Sequence, residues 1–336
     1  MLLADEGLGL IAVAVVLAVP VPLALGRARW PARSPRAALV LWQAVGLGGG
    51  LAILGAALTL AVSGLHRSWL AGVAALPRCV LSGGILPAPA GAGRPASLGP
   101  IGWAGVAGTL LAAAWLGCVL VVSTARLLLA RRDHRRRLDL LASEVPVASL
   151  ERPGSSGPGS PGGRGPAGGP LAAVADGQLQ VRLLDHPQAA AYCLPGVRPR
   201  IVLSQGVIDA LSPDQLAAVV THERAHAQGR HDLVTQPFAA WQQTFPFLPA
   251  AARALASVEL LVEMVADDVA RRSCSPAALA QALGRLAAVI PRDSQAAARA
   301  ARIAAPPPPL PPLAAAGICA AAVLLVCLPP AILLAS

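Results

Sequence analysis

Four long apolar stretches constrain this chain more than any other feature of its sequence. They cover residues 8–25, 38–60, 101–122 and 313–335, and none of them contains a charged residue. A helix of about 20 apolar residues crosses the roughly 30 Å of hydrocarbon in a bilayer. Buried helices of soluble proteins rarely continue that far without a charge. The sequence therefore predicts an α-helical membrane protein with about four transmembrane helices.

The placement of arginine predicts how these helices are oriented. All 27 basic residues are arginine, and they cluster after the first apolar stretch, at residues 27–36, and after the third, at residues 126–137. The connection over residues 66–100 has only three scattered arginines. Because short cytoplasmic loops collect positive charge, we expect the N-terminus and the C-terminus outside and residues 131–312 in the cytoplasm. The abundance of Ala, Gly, Pro and Arg is typical of a GC-rich bacterium, so the membrane is predicted to be a bacterial plasma membrane.

Charge and cysteine usage argue against other classes of protein. Asp5 and Glu6 precede the first apolar stretch where a signal peptide has basic residues, so we expect a retained anchor. The net charge of +10 is explained by arginines that flank membrane helices and contact anionic lipids, and direct binding of nucleic acid is not expected. The six cysteines show no C-x-x-C spacing, so neither a disulfide framework nor a cysteine metal site is predicted.

Two segments of biased composition divide the chain into regions. Residues 1–130 form the predicted membrane region with three helices, and residues 131–170 combine a basic juxtamembrane segment with a linker rich in Gly, Pro and Ser. Such a linker cannot bury apolar surface and is expected to be flexible. Residues 305–312 are nearly all proline and predict a stiff spacer before the fourth helix, residues 313–336. Residues 171–304 are long enough for one compact domain.

Within that domain, the motif H-E-x-x-H occurs on a predicted helix. Ser212 and Gln215 have the spacing of a capping box, so a helix is expected to start about ten residues before His222. His222 and His226 then share one helix face and can bind the same metal ion, while Glu223 lies beside it. This arrangement is typical of zinc peptidases, in which the glutamate acts as the general base.

A second predicted helix supplies the third ligand that a zinc site requires. Residues 251–272 are rich in Ala and Leu and contain neither Gly nor Pro, which favours helix. Glu263 and Asp267 share a face of this helix. We expect Glu263 to bind the metal and Asp267 to accept a hydrogen bond from a ligand histidine.

Together these motifs resemble the gluzincin group of metallopeptidases, in which H-E-x-x-H is followed by E-x-x-A-D. The run from His222 to Asp232 is more narrowly similar to the BlaR/MecR family of β-lactam sensors and antirepressors. The resemblance implies an inserted α+β zinc metalloprotease domain, one Zn²⁺ per chain, and an extended substrate that pairs with the edge of a small sheet. Asp232 matches an aspartate of that family, which implies a supporting contact behind the ligands, and a loop-capping role explains it equally well. No C-terminal sensor domain is expected.

Local patterns predict the remaining elements of the domain. Residues 178–184 and 201–204 read as strands, and helices are expected from Gly206, Ser212, Ala251 and Ser275. Gly229 is an end signal for the helix of the motif, which would leave His231 in a solvated last turn. The residue that stabilises the oxyanion stays open among His231, Arg271 and Arg272.

Two functions from different classes remain. The first is a membrane-anchored zinc endopeptidase that cuts a cytoplasmic protein, either a transcriptional repressor of the kind the resemblance implies or the enzyme itself, in signalling or regulated proteolysis. The second is a catalytically idle scaffold or signal transducer whose protease-like domain binds partners. The first is favoured because a scaffold has no chemical need for Glu223. An intramembrane protease is disfavoured because Arg224, Arg230 and Asp232 crowd the motif, and charges are costly in lipid.

Overall fold

The computed structural model describes residues 2–63, 65, 69–86, 96–144, 180–196, 199–289 and 295–335. Helices dominate the described residues. The contacts within the chain separate two compact units. The first comprises residues 1–124, 237–258 and 310–336, and the second comprises residues 125–236 and 259–309.

Helices account for most of the first unit. Its elements in chain order are α1 Leu2–Ala18, α2 Pro20–Leu25, a 3₁₀ turn Trp30–Arg33, α3 Pro35–Val62, α4 Trp69–Leu81, the short antiparallel strands β1 Ile85–Leu86 and β2 Ala96–Ser97, the first part of α5 Pro100–Leu141, and α12 Pro312–Leu334. Helix α4 was not expected from the sequence, and the arginine-rich connection over residues 27–36 contains the 3₁₀ turn.

Four helices in the described part of the chain are long and apolar enough to cross a membrane. They are Asp5–Leu25, Pro35–Val62, Pro100–Asp139 and Pro312–Leu334. The prediction of four long apolar helices at these positions is therefore confirmed, while their insertion into a bilayer remains a prediction. The third is much longer than the predicted 101–122, because α5 continues through the basic juxtamembrane segment to Leu141.

Helices α1, α3 and α12 pack together through small residues. A side chain at Gly48 of α3 would meet the Leu325 carbonyl oxygen at 2.6 Å, so glycine is needed where α12 crosses. Gly46 and Gly50 form a G-x-x-x-G pair in the same helix, but a side chain there would meet nothing within 4 Å. The close approach is therefore made by Gly48 and not by the motif pair.

A four-stranded sheet lies at the centre of the second unit. Its strands are β3 Ala142–Glu144, β4 Gln180–Leu184, β5 Ala191–Leu194 and β6 Arg200–Ser204, in the order β3-β4-β6-β5. Strands β4 and β6 are parallel, and the other two pairs are antiparallel. The predicted strand over residues 201–204 is thus central, and β5, which was not predicted, lies at the edge of the described sheet. Strand β3 comes from the segment that was predicted to be juxtamembrane or linker.

The helices of the second unit begin close to where local patterns place them. They are α6 Gln205–Ala210, α7 Pro213–Gly229, α8 His231–Thr244, α9 Pro249–Ser273, α10 Pro276–Val289 and α11 Ala296–Ala304, with α8 and α9 running partly through the first unit. Helices α8 and α11 were not predicted. The flexible linker predicted over residues 151–170 lies outside the described residues. At the end of the proline-rich spacer, Pro311 has φ −53° and ψ 141°, which are polyproline values.

The two faces of the sheet are covered by different helices. Ile201 and Leu203 of β6 point to the face that packs against α7. Val202 points to the other face, where it meets Leu138 near the end of α5. Because successive side chains of a strand alternate, β6 is buried on both faces, as expected for a central strand. This packing fixes α7 against the sheet and brings its motif beside β5.

Candidate metal centre

Helix α7 begins with the capping box that the sequence predicts. The Ser212 amide donates to the Gln215 side chain at 3.1 Å, and the Gln215 amide donates to the Ser212 hydroxyl at 3.4 Å. This cap fixes the start of the helix and therefore the direction of each side chain after it. His222 and His226 follow on one face, with His222 only 8% exposed.

Helix α9 brings Glu263 into contact with both histidines. The Nε2 atoms of His222 and His226 are 3.0 Å apart. Glu263 places Oε2 at 3.3 Å from Nε2 of His222 and Oε1 at 3.4 Å from Nε2 of His226. The structure thus gathers the three predicted ligand residues, whose ligand atoms all lie within 4.8 Å of one another.

The size of this group of atoms fits a zinc ion. Zinc binds histidine nitrogen and carboxylate oxygen at about 2.0–2.2 Å in a tetrahedral arrangement, which sets neighbouring ligand atoms roughly 3.3 Å apart. In this structure the two Nε2 atoms are 3.0 Å apart, and they lie 3.3 and 3.4 Å from different oxygens of the Glu263 carboxylate. Two imidazoles and one carboxylate also form the donor set of a catalytic zinc site with one open position. These residues could therefore hold Zn²⁺.

Behind His222 lies a buried ionic group. Nδ1 of His222 is 3.1 Å from Oδ1 of Asp267, which is fully buried. Arg299 of α11 donates to both oxygens of Asp267, at 2.8 and 2.9 Å, and lies 2.8 Å from Oε2 of Glu263. Burial alone would lower the pKa of His222, but the adjacent carboxylates of Asp267 and Glu263 raise it to about 9. Burial alone would raise the pKa of Glu263, but its contacts with His222 and His226 hold it well below its usual range.

Arg299 is the principal residue of the centre that the sequence did not reveal. It is 5% exposed and joins two carboxylates of α9, although it lies 32 residues after Asp267 in the chain. The sequence pattern that matches this contact can be recognised only once the structure is known. Arg299 and Arg302 are one helical turn apart, and they pair with the consecutive residues Asp267 and Asp268.

His231 lies in a different environment from the one predicted. Helix α7 ends at Gly229, Arg230 adopts a left-handed φ of 44°, and His231 starts α8 with only 7% of its surface exposed. Its Nδ1 lies 2.9 Å from Nδ1 of His226. The expectation of a solvated side chain was wrong, because the turn at Arg230 folds His231 back onto the motif helix.

This contact has a consequence for the protonation of His226. When both imidazoles are neutral, one ring must donate a hydrogen bond to the other. If Nδ1 of His226 carries the proton, the lone pair on its Nε2 stays free for a metal. His231 can accept that proton's hydrogen bond, since burial and the neighbouring His226 lower the pKa of His231 to about 4. A Cβ added at Gly229 would overlap the ring of His231. Glycine at this position therefore leaves room for the imidazole.

Glu223 lies in a pocket of about 300 Å³ beside the three ligand residues. The pocket is lined by Tyr192, Cys193, Pro195, His222, Glu223, His226, His231, Asp232 and Glu263. Burial raises the pKa of Glu223, while a hydrogen bond from the Cys193 backbone partly opposes that rise. Edge strand β5 thus forms one wall of the pocket and holds the glutamate through its main chain.

The end of α5 contacts the rim of this pocket at three points. Arg131 donates to Asp232 at 2.7 Å, the His134 ring lies 2.9 Å from the Tyr192 hydroxyl, and Arg135 donates to the carbonyl of Pro195 at 2.8 Å. These contacts come from positions i, i+3 and i+4, which share one face of a helix. Asp232, which the sequence left between two roles, is thus the ion-pair partner of Arg131.

The three candidates for stabilising the oxyanion, His231, Arg271 and Arg272, lie in different positions relative to the pocket. His231 lines the pocket but lies behind His226. Neither Arg271 nor Arg272 is among the lining residues, and Arg271 instead lies 3.6 Å from Asp268 of its own helix. The geometry favours none of the three for this role.

Comparison with known proteins gives a match over the predicted domain. Residues 171–303 match the model of peptidase family M48. No curated protein and no solved structure gives a significant match. The matched family is not the BlaR/MecR family, so that narrower resemblance remains a prediction. The match covers the predicted domain almost from end to end and includes the three histidines, the two glutamates, Asp267 and Arg299, whereas the contacting residues of α5 precede it. Residues 171–303 are thus similar to a family of metallopeptidases.

Proposed function

We propose that this protein is a membrane-anchored, zinc-dependent endopeptidase with one Zn²⁺ held by His222, His226 and Glu263. The observation that carries the proposal is the convergence of the two Nε2 atoms and the Glu263 carboxylate, at 3.0–3.4 Å, beside a partly buried glutamate in a pocket. The match to a metallopeptidase family supports the same conclusion. When bound, zinc supplies a Lewis acid that polarises the scissile carbonyl and makes water a better nucleophile.

Glu223 is the residue that moves the proton. It accepts a proton from the attacking water on its carboxylate and passes it to the nitrogen of the leaving amine, so that peptide and water become an acid and an amine. Burial raises its pKa, which favours its acting as an acid in the second half of this exchange. Asp267 and His231 hold the two ligand histidines in the orientation that metal binding needs.

The substrate in this proposal is an extended stretch of protein that pairs with strand β5. Ala191–Leu194 pairs with β6 on one side, and its other side is the edge of the described sheet. Because Cys193 lines the pocket, a peptide added to this edge would pass beside Glu223. Main-chain pairing of this kind is tolerant of sequence, and specificity would come from side-chain pockets.

The membrane part of the proposal follows from the four apolar helices. We propose that they cross a bacterial plasma membrane with both termini outside and the peptidase domain in the cytoplasm, as arginine placement predicts. The partners are then membrane lipids and a cytoplasmic protein. By the resemblance to BlaR/MecR proteins, a transcriptional repressor or the enzyme itself is the first substrate to test, in signalling or regulated proteolysis.

The test compares purified wild type with Glu223→Gln for zinc content and for cleavage of a mixed cytoplasmic protein substrate. We expect about one zinc per chain in both proteins and cleavage by the wild type alone. A chelator should abolish cleavage, and zinc should restore it. Glu259→Gln is the matched control, because Glu259 is an exposed glutamate one turn before Glu263.

Two other outcomes would change the proposal. If both proteins hold zinc and neither cuts, the alternative of a catalytically idle scaffold or signal transducer gains support. If neither holds zinc, the assignment of the ligands is wrong.

A further inference from the structure

A short segment at the junction of α8 and α9 is unusually aromatic and uncharged. All three phenylalanines of the chain, Phe238, Phe245 and Phe247, lie in it. Residues 233–252 contain no Asp, Glu, Lys, Arg or His. Residues 237–258, named the aromatic corner below, group with the four apolar helices and not with the sheet. The peptidase chemistry uses none of these side chains.

The inner side of the aromatic corner packs against a candidate membrane helix. The Phe238 ring meets Trp42 of α3 edge to face, with ring centres 6.1 Å apart, and both side chains are buried. The stem of Arg253 lies over Gly26, where an added Cβ would meet its Cγ at 2.7 Å. Gly26 directly precedes the arginines of residues 27–36, which are predicted to contact lipid head groups on the cytoplasmic side.

The outer side of the aromatic corner presents large apolar side chains. Phe247 is 79% exposed and Phe245 is 39% exposed, and their rings meet edge to face with centres 6.1 Å apart. A soluble surface normally places polar residues around such side chains. Here the neighbouring residues of the turn are Pro246, Leu248 and Pro249, which are apolar, while Thr244 and the exposed Gln243 end the preceding helix.

The backbone of the turn is also suited to lipid. The amide of Phe245 donates to the carbonyl of Trp241 at 2.9 Å, and the amide of Leu248 donates to the carbonyl of Phe245 at 3.0 Å. Pro246 and Pro249 have no amide hydrogen. Since an unpaired backbone group is costly in hydrocarbon, these features lower the cost of taking the amide positions of residues 245, 246, 248 and 249 out of water.

We propose that the aromatic corner dips into the cytoplasmic side of the bilayer, as a membrane contact in addition to the transmembrane helices. The lipid surface is the occupant that fits, because the exposed phenylalanines are continuous with the apolar unit that contains the candidate membrane helices. Arg253, the first charge after the uncharged run, would lie among the anionic head groups with its stem in the apolar layer. The proposal rests on the membrane topology proposed above.

The test places the photo-crosslinker p-benzoylphenylalanine at position 247 of the full-length protein in lipid nanodiscs. Irradiation should give lipid adducts, detected by mass spectrometry, in a yield close to that of the same label at Trp115 in α5. The yield should exceed that of a label at Asp214, which is exposed at the start of α7, by at least about tenfold. Position 245 provides a second site if the label at 247 lowers expression.

The controls separate failure of this proposal from failure of the topology. Lipid adducts at Trp115 with only background at 247 and 245 would overturn the membrane contact and leave the topology intact. Background at Trp115 as well would contradict the transmembrane assignment on which the proposal depends. Adducts at 247 with a protein in place of lipid would overturn the proposal in favour of a protein-docking surface.

Discussion

The two histidines proposed as metal ligands are held from behind by different chemistry. His222 faces the carboxylate of Asp267, which Arg299 binds through both oxygens. His226 faces the neutral ring of His231. Both arrangements leave Nε2 free for a metal, but only the first buries charges. A carboxylate behind His226 would add a further negative charge to a group that already contains Glu223, Glu263 and Asp267.

Both arrangements fix the tautomer of a histidine, but the loss of a partner has very different costs in stability. A buried ion pair costs much when one partner is removed, because the other charge stays unpaired in a poor solvent. A neutral pair leaves only an unsatisfied hydrogen bond. Changes to the residues behind His222 should therefore lower the stability of the protein. Changes behind His226 should weaken metal binding with little effect on folding.

The largest effect is expected for Arg299→Met. The substitution leaves Asp267 and Glu263 without their guanidinium partner and should lower the free energy of unfolding of the zinc-free protein by about 3–5 kcal/mol. Bound zinc would offset part of the negative charge, so the loss should be smaller in the loaded protein. Thermal unfolding with zinc and with a chelator measures both values. Equal losses in the two states would contradict the assigned role of Arg299.

Asp267→Ala should be the next most damaging change. Arg299 keeps its contact with Glu263, but it loses Asp267, and His222 loses its partner, for about 3 kcal/mol of stability and a roughly 10- to 100-fold loss of zinc affinity. Asp268→Ala is the matched control. It breaks the pair with Arg302, which also has two hydrogen bonds but is partly exposed, and should cost about 1 kcal/mol or less.

A purely local effect on metal binding is expected for His231→Leu. It removes the acceptor for Nδ1 of His226 and should weaken zinc binding by about 10- to 100-fold, with little change in the unfolding temperature of the zinc-free protein. His231→Asn keeps an acceptor and should recover part of the affinity. Competition with a chromophoric chelator measures the constants. If both variants bind zinc like wild type, His231 has no part in orienting His226.

Gly229→Ala should produce the smallest effect, in a direction that helix propensity does not predict. Alanine is favoured over glycine by up to about 1 kcal/mol in a helix, and Gly229 is exposed at the end of α7. Its Cβ would nevertheless displace the His231 ring, so zinc affinity should fall by about tenfold or less. Gln228→Ala, at the exposed neighbouring position, should leave affinity unchanged.

The parts of the site that the sequence predicted share a local origin. The capping box at Ser212 and the i, i+4 spacing of His222 and His226 involve neighbours along one helix, so their geometry follows from helix periodicity. The same holds for Glu263 and Asp267. The four apolar helices were also predictable, because length and absence of charge suffice to detect them.

The features that the sequence did not predict depend on contacts between distant segments or on one backbone angle. Arg299 approaches Asp267 from a helix that begins beyond residues 290–294. The order of the sheet places β6 in the centre only through pairings with β4 and β5. His231 turns inward because Arg230 adopts a left-handed conformation, which is uncommon for a residue other than glycine and has no signal in the sequence.

Helix α5 has a mechanical consequence for the pocket. Its 42 residues span about 63 Å at 1.5 Å per residue, roughly twice the thickness of a hydrocarbon core. Arg131, His134 and Arg135 lie on one face near its far end and contact the pocket rim. One residue step corresponds to a turn of about 100°, so a rotation of this size about the helix axis would withdraw all three contacts together. The three rim contacts are therefore kept or lost as a set, because a single helix face provides all of them.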